Sequence, residues 1–300
     1  MLYKELRFYR KAFINSWKSL FLRVIHRFPI DCNIRGFNFI VSCENSQQFY
    51  MAGYLGYNYR EDSNFILNWD NSTREILVQS KYDGREIKIK HVFDDGDFPG
   101  VFINEEYKNM GFENKIVIDI GGSIGESALY FVLRGAKKIL CFEPVPKVFT
   151  MAKENVELNN LSAFIQLENV AVGNERKFIY IDDYKGVIAG GSALRENRKG
   201  KEIKQITIDD ILEYLPSNQK INETILKIDC EGCEYGIFSS LNEKLLKKIS
   251  AIVLEYHNGK QFLPDVLISN GFTNLEVIRK TEKVGIIMAS KTGSNTHHAV

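Results

Sequence analysis

The chain has 300 residues, of which 44% are hydrophobic and 26% are charged, and its formal net charge is +1. This composition is ordinary for a globular protein, and a net charge near zero argues against general nucleic-acid binding. Five cysteines are scattered along a chain with no secretory signal and no uncharged apolar stretch of about 20 residues. These features predict a reduced, cytoplasmic protein without a transmembrane span.

The first predicted element is a basic amphipathic helix over residues 3–28. Apolar and aromatic side chains recur there every three or four residues, from Leu6 to Phe28. Most amphipathic helices bury their apolar face in protein, so we expect this one to pack on its own domain or on a partner subunit. The alternative is peripheral contact with a membrane surface, which a basic amphipathic helix can also make.

The next region contains short sequence runs that predict β-strands. Runs typical of strands occupy residues 36–41, 64–69, 75–80 and 86–92. A turn-forming Asp-Asp-Gly-Asp cluster at 94–97 then marks a boundary. We therefore predict an N-terminal helical and β-containing extension over residues 1–97, which could serve as an acceptor or partner region.

From about residue 112, strand-like runs alternate with helical ones. Strands are predicted at 116–120, 138–143, 163–172, 223–229 and 251–257, and helices at 125–134, 146–160, 234–248 and 260–270. Two last runs, at 274–280 and 284–289, predict an antiparallel hairpin. The alternation predicts a doubly wound, Rossmann-like α/β domain over residues 98–290, mostly parallel, with a disordered tail at 291–300.

A glycine-rich turn after the first strand of this domain is the most informative motif. The segment IVIDIGGSIGES fails the dinucleotide pattern G-x-G-x-x-G in both registers. It matches the pattern D-x-G-x-G-x-G of S-adenosylmethionine (SAM) sites, with Asp119, Gly121 and Gly125 in place. Only the middle glycine is replaced, by Ser123, and Gly122 occupies a free position of the pattern. We expect the glycines to lie beside the sulfonium nucleoside and Asp119 to meet its amino group.

An acid at the end of the second strand completes the predicted cofactor site. Glu143 follows about 20 residues after the glycines. At this position of the fold a carboxylate accepts hydrogen bonds from the ribose hydroxyls of the cofactor. Its alternative role is to cap the following helix. Further along, the backbone of Asn169-Val170-Ala171-Val172-Gly173 could meet the adenine, although an ordinary buried strand followed by a glycine turn explains that segment almost as well.

Two later strands end in pairs of polar side chains, which we call the acidic cluster: Asp229, Glu231, Glu255 and His257. Functional groups gather beyond the carboxyl ends of strands in this fold, so these residues are candidate catalytic groups. His257 could take a proton from an acceptor hydroxyl, while Glu255 or Asp229 orients it or binds substrate. The cluster could also hold a divalent metal, but this alternative is not favoured because nothing in the sequence determines a ligand geometry. A third alternative is that some members merely cap helices or pair with Lys227.

The sequence Cys230-Glu231-Gly232-Cys233 contains a C-x-x-C spacing. Such a spacing occurs in redox and zinc sites. Because the chain has no second pair of this kind, we interpret the spacing as coincidence.

In their order along the chain, these motifs resemble those of the FkbM-type SAM-dependent methyltransferases. The resemblance runs from Val101 to His257 through Glu106-Tyr107, VIDIGGSIGES, GAKKILCFEP, NVAVG, ITIDDIL, LKIDCEGCE and LEYH. It implies O-methylation of a sugar or another hydroxylated small molecule with SAM as donor, and it adds Tyr107 to the residues expected at the cofactor. Residues 1–97 have no counterpart in this resemblance, so the acceptor stays open.

Two other functions remain as alternatives. The same fold could act as a noncatalytic SAM-binding or scaffold module, although the acids of the central strands argue against it. A nicotinamide-dependent oxidoreductase is less favoured, because the glycine pattern fails. The oligomeric state is open.

Overall fold

The computed structural model describes residues 2–181, 200–215, 223–240 and 243–291. The chain forms two compact units, Met1–Glu106 with Glu157–Asn159, and Tyr107–Val156 with Asn160–Val300. The division after Glu106 lies a few residues beyond the boundary expected after residue 97. The predicted tail, from residue 292 onward, lies outside the described residues.

The first unit contains helices and two small antiparallel sheets. Its elements are α1 (Leu2–Ala12), α2 (Ser16–Val24), β1 (Ile30–Asn33), β2 (Ile40–Cys43), α3 (Ser46–Tyr57), β3 (Phe65–Asp70), β4 (Glu75–Ser80), β5 (Glu86–Ile89) and α4 (Phe98–Phe102). Strands β1 and β2 pair with each other, and β3, β4 and β5 form a meander. None of the helices in the described part of the chain is long and apolar enough to cross a membrane.

The single helix predicted over residues 3–28 is wrong, because the chain breaks between α1 and α2. At the break Phe13 makes an antiparallel bridge with Ile34, and the Ile14 amide donates to the Asn33 carbonyl at 2.9 Å. These contacts direct the Ile14 amide away from the helical hydrogen-bond pattern, although the Phe13 amide still donates to the Tyr9 carbonyl at 2.9 Å. The side-chain period alone cannot reveal such a break, since it is similar on both sides.

Helix α3 was not predicted, and the strand expected at 36–41 is largely a turn followed by β2. A signal for α3 does exist, because Asn45 precedes it as a helix-capping residue. The Asn45 side chain accepts hydrogen bonds from the amides of Gln47 and Gln48, both at 3.0 Å. The aromatic residues and glycines of this helix obscured its helical period.

The second unit contains the predicted α/β domain. Its elements are β6 (Ile116–Ile120), α5 (Glu126–Leu133), β7 (Lys138–Phe142), α6 (Pro146–Leu158), β8 (Ile165–Glu168), β9 (Ala171–Gly173), β10 (Lys177–Ile181), β11 (Lys201–Thr207), β12 (Thr224–Ile228), α7 (Glu234–Ser239), α8 (Glu243–Lys248), β13 (Ile249–Tyr256), α9 (Leu263–Ser269), β14 (Asn274–Arg279) and β15 (Gly285–Ser290).

Within the described ranges, seven of these strands form one sheet in the order β14-β15-β13-β12-β6-β7-β8. The neighbours from β13 to β8 are parallel, and β15 pairs antiparallel with both β13 and β14. The predicted fold class is therefore confirmed, including the closing hairpin. Since β6, β7, β12 and β13 are parallel neighbours, their carboxyl ends meet at one edge of the sheet.

Two predicted elements of this domain are each divided. The strand expected at 163–172 is two strands, of which β8 ends the large sheet and β9 joins a separate sheet of order β10-β11-β9. The helix expected at 234–248 is α7 and α8. Pairing partners distant in sequence decide the first division, which a local hydrophobic run cannot indicate.

Candidate active site

The residues between β6 and α5 form a tight turn, which we call the glycine turn (121–125). The amides of Gly121 and Gly122 donate to the Phe142 carbonyl at 2.9 and 3.1 Å. Gly121 has φ +80°, and a Cβ there would lie 1.8 Å from the Asp229 carbonyl oxygen. A Cβ on Gly122 would lie 2.0 Å from Sγ of Cys141. Neither position can carry a side chain without movement of its neighbours, and the turn lies directly against the end of β12.

Glu143, at the end of β7, contacts the glycine turn as predicted. Its Oε2 accepts a hydrogen bond from the Ser123 amide at 3.0 Å, and its Oε1 accepts one from the Val145 amide at 2.8 Å. Each carboxylate oxygen can accept a further hydrogen bond. Glu143 thus has capacity for a ligand even though its side chain is buried and held by two amides.

Asn169 has a different role from the one predicted for its segment. Its Nδ2 donates to the carbonyls of Glu143 and Pro144, at 2.8 and 3.1 Å. The side chain therefore holds the loop after β7, which carries the Glu143 carboxylate. Ala171 is buried at the start of β9, and backbone contact of either residue with an adenine stays a prediction.

Asp119 requires a correction. It is fully buried, and its Oδ1 lies 2.9 Å from the Lys227 ammonium while its Oδ2 accepts from the Ser127 hydroxyl at 2.6 Å. A carboxylate placed this way does not face a ligand, so direct contact with a donor's amino group is not what this structure supports. Asp119 instead anchors Lys227 beneath the glycine turn.

Lys227 connects that anchor to the turn. Its Nζ donates to the Gly121 carbonyl at 2.5 Å. Burial by itself lowers the pKa of Lys227, but attraction to Asp119 and Asp229 outweighs this effect and raises the pKa above its usual value. The ammonium therefore stays charged and holds the glycine turn against the sheet.

The structure brings the acidic cluster together. The His257 Nε2 lies 3.4 Å from Glu231 Oε2, 3.8 Å from Asp229 Oδ1 and 4.0 Å from Glu255 Oε1. Asp229 and Glu231 both approach this ring nitrogen, but they do so from the loop after β12, which ends at Ile228, and not from an extended strand. Glu231 adopts φ +56°, an uncommon conformation for a non-glycine residue, in the loop between β12 and α7.

Two partners of the acidic cluster were not predicted. Glu234, fully buried at the start of α7, accepts from the His257 amide at 2.9 Å, and its Oε1 lies 3.3 Å from His257 Nδ1. Lys280 places its Nζ 3.1 Å from Oε2 of Glu255. Glu234 is the last residue of the motif LKIDCEGCE, so the sequence did contain a signal for it. Lys280 lies in a polar turn that belongs to no motif.

The electrostatics change the expected role of His257. Burial lowers its pKa, but the hydrogen bond that the ring donates to Glu234 and the attraction to Asp229 and Glu231 outweigh burial and raise the pKa to about 9. In this arrangement the ring is a cation at neutral pH. A neutral His257 acting as proton acceptor, as the sequence suggested, is therefore disfavoured, and the carboxylates of the acidic cluster are the hydrogen-bond acceptors beside it.

We expect the His257 ring to titrate near pH 9 in NMR, with Glu234→Gln moving the midpoint downward because the main favourable partner loses its charge. A folded pKa above the ordinary 6.5 means that this group stabilises the fold fully below pH 6.5 and loses that contribution as pH rises through about 9. Asp94→Asn, which removes the partner of His91, is the control and should leave the midpoint unchanged. A midpoint near 6.5 in the unaltered protein would contradict the assignment.

Three members of the acidic cluster also offer a set of metal ligands. Donor atoms of Asp229, Glu255 and His257 all lie within 4.8 Å of one another. Two carboxylates and an imidazole suit a divalent cation, which would replace the ring proton as the balancing charge. A metal at this position stays an alternative that the sequence left open without favouring it.

Cys230 and Cys233 form a disulfide, with their Cα atoms 5.5 Å apart. The interpretation of this C-x-x-C as coincidence is therefore wrong, as is the expectation that all five cysteines are reduced. The bond closes the loop that carries Glu231 toward His257. The other three cysteines, Cys32, Cys43 and Cys141, are buried thiols.

A cleft of about 170 Å³ opens at this edge of the sheet. Its lining includes Tyr107, Lys227, Asp229, Val253, Glu255 and Ile286. Tyr107 was expected at the cofactor and is buried beside Phe131, with ring centroids 5.4 Å apart. This volume includes space open to solvent, so the cleft would have to widen to enclose a nucleoside.

The sequence from Asp119 to Lys283 matches the family described as the methyltransferase FkbM domain, which covers residues 119–283. The chain belongs to the FkbM methyltransferase family. The match includes the glycine turn, Glu143 and the whole acidic cluster. Membership confirms the class expected from the sequence, a SAM-dependent methyltransferase, while the acceptor atom is not decided by it.

Individual relatives of this FkbM methyltransferase are distant. "Methyltransferase 1" of Beauveria bassiana is 26% identical over 183 residues, covering 53% of this chain and 72% of the relative. "Methyltransferase sdnD" of Sordaria araneosa is 20% identical over 211 residues, covering 59% and 75%.

Solved structures are less similar still. M. capricolum TrmK in complex with S-adenosyl-homocysteine has a TM-score of 0.39 at 13% identity, covering 63% of this chain and 68% of that one. A Listeria monocytogenes serotype 4b protein also has a TM-score of 0.39, at 15% identity, and the match covers 63% of this chain and 66% of that one, just under two thirds. The family assignment therefore rests on the sequence match.

Proposed function

We propose that this FkbM methyltransferase transfers a methyl group from SAM to a hydroxyl of a sugar or another small molecule. The observation that carries the proposal is the contact between the glycine turn and the end of β12, where Gly121 leaves no room for a Cβ beside the Asp229 carbonyl. It supports a donor site directly beside the acidic cluster. Methyl transfer needs donor and acceptor to be adjacent and aligned, which such a contact favours.

The donor side consists of bare backbone and one carboxylate. Gly121 and Gly122 present no side chains, and the Glu143 carboxylate is held beside them by the amides of Ser123 and Val145. In our proposal the Glu143 carboxylate accepts hydrogen bonds from the ribose hydroxyls of SAM, and the glycine turn lies beside the nucleoside. When bound, SAM supplies an electrophilic methyl group; the residues of the chain supply orientation.

On the acceptor side, Asp229 and Glu255 line the cleft. Each of these side chains can accept a hydrogen bond from a substrate hydroxyl and hold its oxygen toward the donor. As the oxygen gains the methyl group, its proton passes to one of these carboxylates. The concentrated negative charge disfavours a polyphosphate acceptor such as nucleic acid, which supports a neutral hydroxylated acceptor.

Asp229→Asn should lower kcat roughly 100-fold or more, since a proton-accepting group contributes about 10²–10⁴, while SAM affinity stays nearly unchanged. The assay supplies SAM with an isotopically labelled methyl group to panels of glycans, small alcohols and amines, and locates the label by NMR. Asp265→Asn, an exposed acid in the first turn of α9, is the matched control. Label on nitrogen would contradict O-methylation, and SAM binding without turnover on any acceptor would favour the noncatalytic alternative.

A further inference from the structure

Helix α2 turns its large apolar side chains outward. Trp17, Phe21 and Val24 are 63%, 64% and 74% exposed. They recur at intervals of three and four residues, so they share one face of the helix. Ile14 and Ile25, just beyond the helix ends, are exposed as well.

The inner face of α2 is polar and held by hydrogen bonds. Ser16 and Ser19 are buried, and the Ser19 hydroxyl donates to the carbonyls of Asn15 and Asp31 at 3.2 and 3.4 Å. Asn15 adds a bond from its Nδ2 to the Asp31 carbonyl and accepts one from the Asn33 amide, at 2.7 and 2.9 Å. The helix is therefore inverted relative to a usual surface helix, and these bonds fix that orientation.

The preceding helix behaves in the opposite way. In α1, Tyr9 and Ala12 are buried, and Tyr9 packs against Phe49 of α3 with ring centroids 4.9 Å apart. Thus α1 anchors the segment in the first unit, and only α2 presents an apolar face. The amphipathic pattern over residues 3–28 therefore belongs to two helices, α1 with its apolar side packed against protein and α2 with its apolar side exposed.

Positive charge surrounds the exposed face. Residues 3–28 contain seven lysines and arginines but one acid, Glu5, in a chain whose net charge is +1. Lys18 and Arg27 are exposed beside α2, and the Arg10 guanidinium lies 5.5 Å from the Trp17 ring. Aromatic residues bordered by lysine and arginine are the composition of helices that lie in the interface of an anionic bilayer.

We propose that the apolar face of α2 binds the surface of a membrane containing anionic phospholipids, with Trp17, Phe21 and Val24 entering the headgroup region. Charge complementarity selects this occupant over a second copy of the chain. A symmetric dimer through α2 would bring two sets of the same positive charges together, which like-charge repulsion opposes. An anionic lipid surface instead neutralises them.

Co-sedimentation of the full chain with vesicles tests the proposal. We expect binding to vesicles of two parts phosphatidylcholine to one part phosphatidylserine, at least about tenfold tighter than to phosphatidylcholine alone and weakened by salt. Trp17→Ser with Phe21→Ser should weaken it roughly tenfold or more. Because both side chains are exposed, the variant should fold normally. Tyr82→Ser, which removes another exposed aromatic residue of the first unit, is the matched control and should bind as before.

Fluorescence gives an independent reading, since Trp17 and Trp69 are the two tryptophans of the chain. In a Trp69→Phe background, anionic vesicles should shift the Trp17 emission to shorter wavelength. Equal pelleting with and without lipid, or binding unaffected by the paired serine substitutions, would overturn the proposal. A lipid-independent dimer that those substitutions dissociate would overturn it in favour of a second copy.

Discussion

Replacing Lys227 with methionine is expected to lower the free energy of unfolding by about 3–5 kcal/mol, the usual cost of removing one partner of a buried ion pair. The Asp119 carboxyl group would be left inside the sheet without its cationic partner, with the Ser127 hydroxyl still donating to it, and the Gly121 carbonyl would lose its donor. Methionine has a similar volume, so loss of packing contributes little. Urea unfolding followed by circular dichroism measures the change.

Two variants separate the ion pair from other causes. Lys137→Met removes a lysine whose Nζ lies 2.8 Å from Glu223 at the surface, and an exposed pair of this kind contributes at most about 1 kcal/mol. Asp119→Asn combined with Lys227→Met removes both buried charges and should recover much of the lost stability. If Lys227→Met and Lys137→Met cost the same, the buried pair does not have the role given to it here.

Glu143→Ala is expected to weaken SAM binding roughly 100-fold. A hydrogen bond to a charged group contributes about 1.5–3 kcal/mol, and about 1.4 kcal/mol corresponds to a factor of ten, so losing one or two such bonds to ribose hydroxyls reaches this range. The variant also removes the acceptor of the Ser123 and Val145 amides, which loosens the glycine turn. Isothermal titration calorimetry with SAM measures the affinity.

Because that loosening could itself affect binding, a second substitution is needed. Glu143→Gln keeps a carbonyl oxygen for one amide but loses the charge, and it should still weaken binding roughly tenfold. Glu168→Ala, which removes a half-buried acid at the end of the adjacent strand β8, is the matched control and should bind SAM normally. Unchanged affinity in both Glu143 variants, with their folds intact, would mean that the nucleoside binds elsewhere.

The site could be predicted where local sequence and fold topology act together. Gly121 and Glu143 follow neighbouring parallel strands, so their proximity required only the correct strand alternation, and the 3.0 Å contact between Ser123 and Glu143 agrees with it. The convergence of Asp229, Glu231 and Glu255 on His257 followed for the same reason.

The roles within that site were harder to predict. Asp119 belonged to the SAM-type motif, but its carboxylate is occupied by Lys227 of a distant strand. The same lysine was weighed only as a partner for the acidic cluster. His257 seemed a proton acceptor until Glu234 and the surrounding carboxylates proved close enough to keep its ring charged.

The sequence by itself determined the strand–helix alternation, the methyltransferase class and the sheet edge at which the functional groups gather. These depend on local periodicity and on turn residues, which act over a few positions of the chain. Tertiary structure alone decided that Asp119 pairs with Lys227 and that Glu234 holds His257. It also decided that the apolar face of α2 is exposed while that of α1 packs inside the first unit. Each of these outcomes depends on pairing or burial between segments distant in sequence, where desolvation and charge are set by neighbours that no local pattern specifies.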